Sequence, residues 1–391
     1  MDEIVYRLNG YKKMVPIYGA MLLFSLHYYL LVFINSSVLS QFFSDEKVGL
    51  LYMTASFVTV ILFLITPSIL RKTPLIGLLG SFLLLETLGT LALSIGSGYF
   101  VIGTGFILIQ LSVPILYFIL DVYLQQMTTG SDSVGNIRTI FLTLANITIV
   151  ISPVLSAALI TTYGYKGVYI SSMFFLIPLY ILSYVYFKKI ILQPVTTYTQ
   201  NALSIYMHNP NLRRVFEANF VLKIFYAVMT IYLPIYLHHY IGFTWAEIGI
   251  ILTIMLIPFV LFEIPFGYLA DKILGEKEIM VTGFIITGCA TIALFIFGEK
   301  SLIIMAGILF ISRIGASAIE SMSETYFFKK VSGSDTNIIS FFRITTPLAF
   351  VVTPLIAGAI LVYTSYGHIF LILGICTLLG AIPALLIVDT K

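Results

Sequence analysis

Apolar runs of about twenty residues recur along the whole chain, the length a helix needs to cross the roughly 30 Å hydrocarbon core of a bilayer. Twelve are present, at about 14–39, 47–70, 73–95, 99–127, 137–162, 166–187, 213–238, 246–270, 278–297, 301–328, 337–364 and 366–388. Lipid offers no water to backbone N–H and C=O groups, so each run must satisfy its own by forming a helix. Composition agrees: of 391 residues, 59% are hydrophobic and 10% charged, with a mean hydropathy of +1.03. A soluble domain carries roughly a quarter charged residues. The expected fold class is an all-α integral membrane protein of twelve transmembrane helices.

The same numbers exclude several function classes. A net charge of +3 and the lack of a basic run with interleaved aromatics argue against a nucleic-acid partner. Cys289 and Cys376 lie inside apolar runs and read as packing residues, not as a disulfide framework. There is no Gly-rich phosphate loop or cluster at metal-ligand spacing, and His238-His239 stands alone beside a loop. Neither an enzyme nor a bound cofactor or metal is expected. The amino terminus, with Asp2, Glu3 and Arg7, has no small-residue cleavage site and reads as a retained first span.

Charge placement sets an orientation. With both termini cytoplasmic, fourteen of the 21 basic residues fall on the inner side and three (Lys47, Lys166, Lys300) on the outer. The other four, Arg138, Lys223, Arg313 and Arg343, lie in or at the ends of spans. The positive-inside rule expects this bias. The expected location is the cell membrane, multi-pass, with both termini in the cytoplasm.

A polar signature is written twice, about two hundred residues apart. Asp121, Gly130-Ser131-Asp132, Arg138 and Pro153 match Glu324, Gly333-Ser334-Asp335, Arg343 and Pro354. Phe43 with Val48-Gly49 likewise matches Phe243 with Ile248-Gly249. Duplicated polar groups inside lipid point to two repeats around a shared path. The expected organisation is a six-helix bundle over 1–187, a cytoplasmic linker over 188–212 with a short helix around Ala202–Met207, and a second bundle over 213–391. Six spans per half keep both repeats in one orientation.

The loop after span 8, Gly267-Tyr268-Leu269-Ala270-Asp271-Lys272-Ile273-Leu274-Gly275, resembles the loop motif of the major facilitator superfamily. The resemblance extends over essentially the whole chain. The matching stretch after span 2, Pro67-Ser68-Ile69-Leu70-Arg71-Lys72, has Arg71 where Asp271 stands, so a motif-based gate belongs to the second half. Ser152-Pro153 with Ser156-Ala157 on span 5 resembles a worn form of the Gly-Pro motif of proton-coupled drug antiporters. Span 11 carries Thr353-Pro354 and Ala357-Gly358. The alternative for these prolines is a helix bend with small residues for close packing. The resemblance implies two bundles rocking around a cavity lined by spans 1, 4, 7 and 10.

Ionisable residues inside spans are the candidate machinery, because a charge facing lipid costs at least about 2.5 kcal/mol. Lys223 and Arg313 are central, with Glu263 and Glu320 as candidate coupling acids beside them. His27, Tyr28, Asn35, Gln110, Tyr117, Tyr226 and Tyr232 could complete a substrate site. Asp121, Arg138, Asp271, Lys272, Glu324 and Arg343 sit near the cytoplasmic boundary and suggest an inner gate; permanent pairing within each half is the alternative. Glu86 lies mid-span with no assigned role. The expected function is secondary active transport of a small organic solute, coupled to protons, by a monomer. Export of an amphipathic compound is the expected direction, and uptake of a polar or anionic metabolite the alternative. A lipid scramblase or a receptor on the same scaffold is the reading from another class.

Overall fold

The structure, a computed structural model, describes residues 2–70, 72–128, 134–189, 202–298, 300–331 and 336–389. Among these the regular elements are all helical. In chain order they are α1 (Asp2–Val32), α2 (Asn35–Leu39), α3 (Asp45–Leu70), α4 (Leu75–Ile95), α5 (Tyr99–Thr128) and α6 (Val134–Val185), followed by α7 (Ala202–His208), α8 (Pro210–Ile235), α9 (Trp245–Lys272), α10 (Glu276–Ile296), α11 (Leu302–Lys330), α12 (Thr336–Arg343), α13 (Thr345–Tyr363), α14 (His368–Leu379) and α15 (Ala381–Leu385). The loop signatures Gly130-Ser131-Asp132 and Gly333-Ser334-Asp335, and Arg71, lie outside the described residues, as do the side chains of Arg138, Asp271 and Lys272.

Eleven segments among the described residues are long and apolar enough to cross a bilayer. The difference from the expected twelve arises in α6. Its 52 residues would measure roughly 78 Å as one straight helix, more than twice the hydrocarbon thickness. The chain breaks at Gly164, where φ is 67° and ψ −178°, a conformation open essentially to glycine. The arms on either side match the runs 137–162 and 166–187, and counted separately they bring the segments to twelve.

Other runs are less continuous than their hydropathy implies. Run 14–39 turns at Phe33-Ile34 before α2, run 337–364 turns at Ile344 between α12 and α13, and run 366–388 is divided at Gly380. Gly380 sits so close to the Phe284 ring that a Cβ there would fall 2.5 Å from it. Hydropathy measures burial and carries no record of such local bends.

Contacts divide the chain into two units. Unit 1 holds Met1–Val32 and Ser68–Val195; unit 2 holds Phe33–Pro67 and Thr196–Lys391. Chain order is not followed because the start of α3 packs on second-half helices: Tyr52 stacks on Phe350 at 6.1 Å, and a Cβ on Gly49 would lie 3.0 Å from Pro354.

Unit 1 is built around α1, which meets both arms of α6. Ser156 Oγ donates to the Leu30 carbonyl at 2.8 Å, and His27 and Gly19 face Ser172 and Leu182 of the second arm. Helices α4 and α5 close on small residues: a Cβ on Gly89 would meet the Gly105 carbonyl oxygen at 2.7 Å. Unit 2 repeats this device between α10 and α11, where a Cβ on Gly283 would meet the Gly315 carbonyl oxygen at 2.7 Å. Bare backbone faces let helices approach closely where burial of apolar surface from water is not the driving force.

Candidate functional site

In the middle of unit 2, α8 and α11 bring together the buried charges of the second half. Lys223 Nζ lies 2.7 Å from Glu320 Oε1, and the Tyr226 hydroxyl donates to Glu320 Oε2 at 2.9 Å. Both carboxylate oxygens are thus engaged by α8. The three-residue spacing of Lys223 and Tyr226 places them on one helix face, which is why one acid can serve both. Tyr226 also lies beneath the ammonium, whose nitrogen is 5.1 Å from the ring centre.

Arg313 differs from its neighbours. It is 3% exposed, and its guanidinium lies over the rings of Phe225, at 4.8 Å, and Tyr226, at 5.5 Å. Its Nε and Nη1 have no hydrogen-bond acceptor among the described residues. Stacking on two aromatic faces returns about 2 kcal/mol when desolvated. Each orphaned donor costs about 1–3 kcal/mol, more on a charged group. The rings therefore do not offset the burial, and the guanidinium keeps unfilled capacity for an acceptor.

Towards one end of the same helices a polar ladder ties α8, α11 and α13. Asn219 Nδ2 donates to Ser323 Oγ at 3.1 Å, and Thr345 Oγ1 donates to Asn219 Oδ1 at 2.9 Å. Arg343 Nη1 lies 2.6 Å from Glu324 Oε1, an ion pair internal to unit 2. At this end Val388 and Asp389 are tied to neighbouring helices. Val388 N–H donates to Asn211 Oδ1 at 3.2 Å, Tyr326 OH donates to the Val388 carbonyl at 2.7 Å, and Asp389 Oδ1 accepts from the Glu276 N–H at 3.2 Å. Burial first, then the neighbouring Glu276 and Glu278, pushes the Asp389 carboxyl above its ordinary range.

The opposite end of unit 2 carries an aromatic cup of about 660 Å³ whose lining includes Asp45, Tyr236, Tyr240 and Tyr366. Tyr240 stacks on Tyr366 at 4.2 Å and donates its hydroxyl to Asp45 Oδ2 at 3.2 Å.

The structure brings Lys223, Tyr226, Arg313 and Glu320 together as one cluster. Glu263 lies within electrostatic reach of Tyr226, with its side chain exposed on α9. Tyr232 is buried one turn further along α8 from Met229, and its carbonyl accepts from the Tyr366 hydroxyl at 3.4 Å. In unit 1, Tyr28 stacks on Phe24 and meets Tyr29 at a tilt, and Gln110, Tyr117 and Asp121 are half-buried along α5. Asn35 is buried in unit 2 on α2. His27 is fully buried and turned to Glu86, its Nε2 2.8 Å from Glu86 Oε1. Sequence reasoning missed that partnership and the roles of Phe225, Asn219 and Asp45. A polar residue at mid-span was the available signal for Glu86 and Asn219; Phe225 carried none among 31 phenylalanines. The span 5 motif residues serve packing: Ser156 bonds α1 and Ala157 is 5% exposed.

An all-helical membrane protein with a buried, incompletely satisfied charge cluster has the architecture of a transporter. Residues 215–391 match the family model described as the Major Facilitator Superfamily. The match supports a secondary transporter in general. The matched segment is the second half, a narrower span than the whole-length resemblance, and it contains the loop copy that keeps its acid at Asp271. No curated protein matches the chain.

Proposed function

We propose that the chain moves a small organic solute bearing an anionic or strongly accepting group, and that Arg313, Lys223 and Tyr226 bind that group. The single observation that carries this reading is the buried Arg313 guanidinium with unsatisfied Nε and Nη1 donors. A carboxylate, phosphate or sulfonate would satisfy the fork in the way a planar guanidinium is built for. Glu320 is then the switching acid: a solute anion competes with it for Lys223 and Tyr226, so binding and release of the pair are linked. Glu263 is the second acid within reach.

The transport cycle on this reading is alternating access of bundles 1–187 and 213–391 about the linker 188–212, in the cell membrane, with both termini cytoplasmic and the protein acting as a monomer. Asp121, Arg138, Asp271, Lys272, Glu324 and Arg343 form its inner gate. Proton coupling accompanies the cycle, and uptake of an anionic metabolite takes precedence over export of amphipathic compounds. Export rested on an apolar, aromatic cavity and on the span 5 motif, whose Ser156 and Ala157 are accounted for by helix packing.

The test is thermal unfolding of the purified protein against carboxylates, phosphates and sulfonates, each paired with its neutral amide or alcohol. Stabilisation is expected from some of the anions, absent with their neutral partners and lost in Arg313→Gln. Equal stabilisation by neutral amphiphiles in wild type and variant would return the reading to amphipathic export.

A further inference from the structure

Among the described residues a further buried ionisable pair lies in unit 1, and neither solute binding nor the gate uses it. His27 and Glu86 are both 0% exposed. His27 Nδ1 is 3.1 Å from the Ser172 carbonyl oxygen. A carbonyl oxygen only accepts, so Nδ1 carries a hydrogen. At the other side of the ring, Nε2 is 2.8 Å from Glu86 Oε1. Two bare acceptors would repel at that distance, so one proton lies between them. It is either on nitrogen, giving imidazolium and carboxylate, or on oxygen, giving imidazole and carboxylic acid. Both arrangements leave the pair neutral.

The two arrangements are held in balance by their surroundings. The ion pair gains from attraction in a medium of low dielectric. Against it, Glu86 Oε2 is buried with no hydrogen-bond partner, and an orphaned oxygen is costlier on a charged group than on a neutral one. The other groups facing the pair leave it largely alone. Tyr28 on α1 lies within electrostatic reach of Glu86, and Tyr180 on α6 is hydrogen-bonded to Thr87 at 3.2 Å. On α5, Ile109 packs near Gly89, and Asp121 is twelve residues further, roughly 18 Å along the axis. Lys166 on α6 precedes Ser172 by six residues and is exposed. No fixed cation accompanies Glu86 among the described residues, in contrast to Glu320, which has Lys223. The charge balance of the pair is therefore decided by its own proton.

We propose that His27 and Glu86 form a proton-binding site that carries the coupling proton through the cycle. The proposal rests on the chain being a transporter and assigns the coupling ion a place separate from the solute. On release, the N–H or O–H bond between the two residues breaks, the proton passes to water, and the pair keeps one negative charge; on binding, the same bond re-forms and the pair is neutral. The charge left behind is costly in the buried geometry, so release belongs to a state in which water reaches the pair, and the buried state holds the proton. That difference between states is what coupling requires.

Infrared difference spectroscopy of the full-length protein in lipid, taken stepwise from alkaline to acid, reads the carbonyl stretch of protonated carboxylic acids together with the ring bands of imidazole and imidazolium. A band that grows with acidity is expected in the wild type, missing from Glu86→Gln and displaced in midpoint by about one pH unit or more in His27→Asn. A wild-type titration indistinguishable from Glu86→Gln overturns the proposal. If Glu86→Gln does not fold, Glu86→Asp keeps an acid there and must move the band; an unmoved band overturns it equally. No solute enters this measurement. A silent Glu86 leaves solute binding at Arg313 intact, and a flat thermal-shift screen leaves the proton site intact.

Discussion

Lys223 shows how a residue that reads as a liability in lipid becomes part of the scaffold. Its ammonium is satisfied by Glu320 at 2.7 Å, and Tyr226 takes the second carboxylate oxygen. Removing one partner strands the other, which for buried pairs costs about 3–5 kcal/mol, whereas replacing both is often close to neutral. Glu320 keeps about a third of its side-chain surface, so the lower end applies. Lys223→Met should destabilise by about 3 kcal/mol, and Lys223→Met with Glu320→Gln should recover most of it; thermal unfolding in detergent measures both. Asp389 makes a prediction of opposite sign. Its carboxyl is raised by burial and by Glu276 and Glu278, so the folded protein holds that proton more firmly than the unfolded chain. The stability it contributes is complete in acid, below the ordinary Asp range, and is lost as pH rises through the raised value. Asp389→Asn should therefore match wild type in acid and melt at a higher temperature near neutrality. A melting-temperature profile against pH checks it.

The helices owe their packing to small residues at crossing points. The pairs Gly89–Gly105 and Gly283–Gly315 join α4 to α5 and α10 to α11, the third and fourth spans of each half. Both closures lie in the apolar interior, at positions where hydropathy gave no hint. Helix α6 depends on one residue in another way. Gly164 lets two spans follow each other with almost no loop, through a backbone conformation that a Cβ opposes. No heavy atom lies within 4 Å of a Cβ built there, so strain alone decides the outcome. Gly164→Ala should cost about 1–3 kcal/mol, read as a lowered melting temperature with little change in solute affinity.

At the scale of the whole molecule, the ends of unit 2 are held by different chemistry. One end has the ties of Val388 and Asp389, the Arg343–Glu324 pair and the Asn219 ladder. The other has aromatic stacking with Asp45, sealed where α3 meets α8 and α13 at Gly49. A Cβ at Gly49 would lie 2.9 Å from the Tyr232 hydroxyl and 3.0 Å from Pro354, with proline ring atoms that cannot swing aside. Gly49→Leu should push α3 off this end. Labelling of a cysteine placed at Ser365 by a membrane-impermeant maleimide should then speed up several-fold over the same cysteine in wild type. An unchanged labelling rate would mean that α3 does not close the cup.

The sequence alone determined that this chain lives in a bilayer and roughly where its apolar spans lie. Those properties follow from transfer free energies and from period and spacing, which are additive along a chain. Pairing is not additive in that way. Glu86 stood without a role until the fold placed His27 beside it, from 59 positions away, and Arg313, already a candidate from its place in a span, proved to lie over two rings with two donors unsatisfied. Whether a buried charge is satisfied depends on which helices meet and at what rotation, and tertiary packing alone decides that.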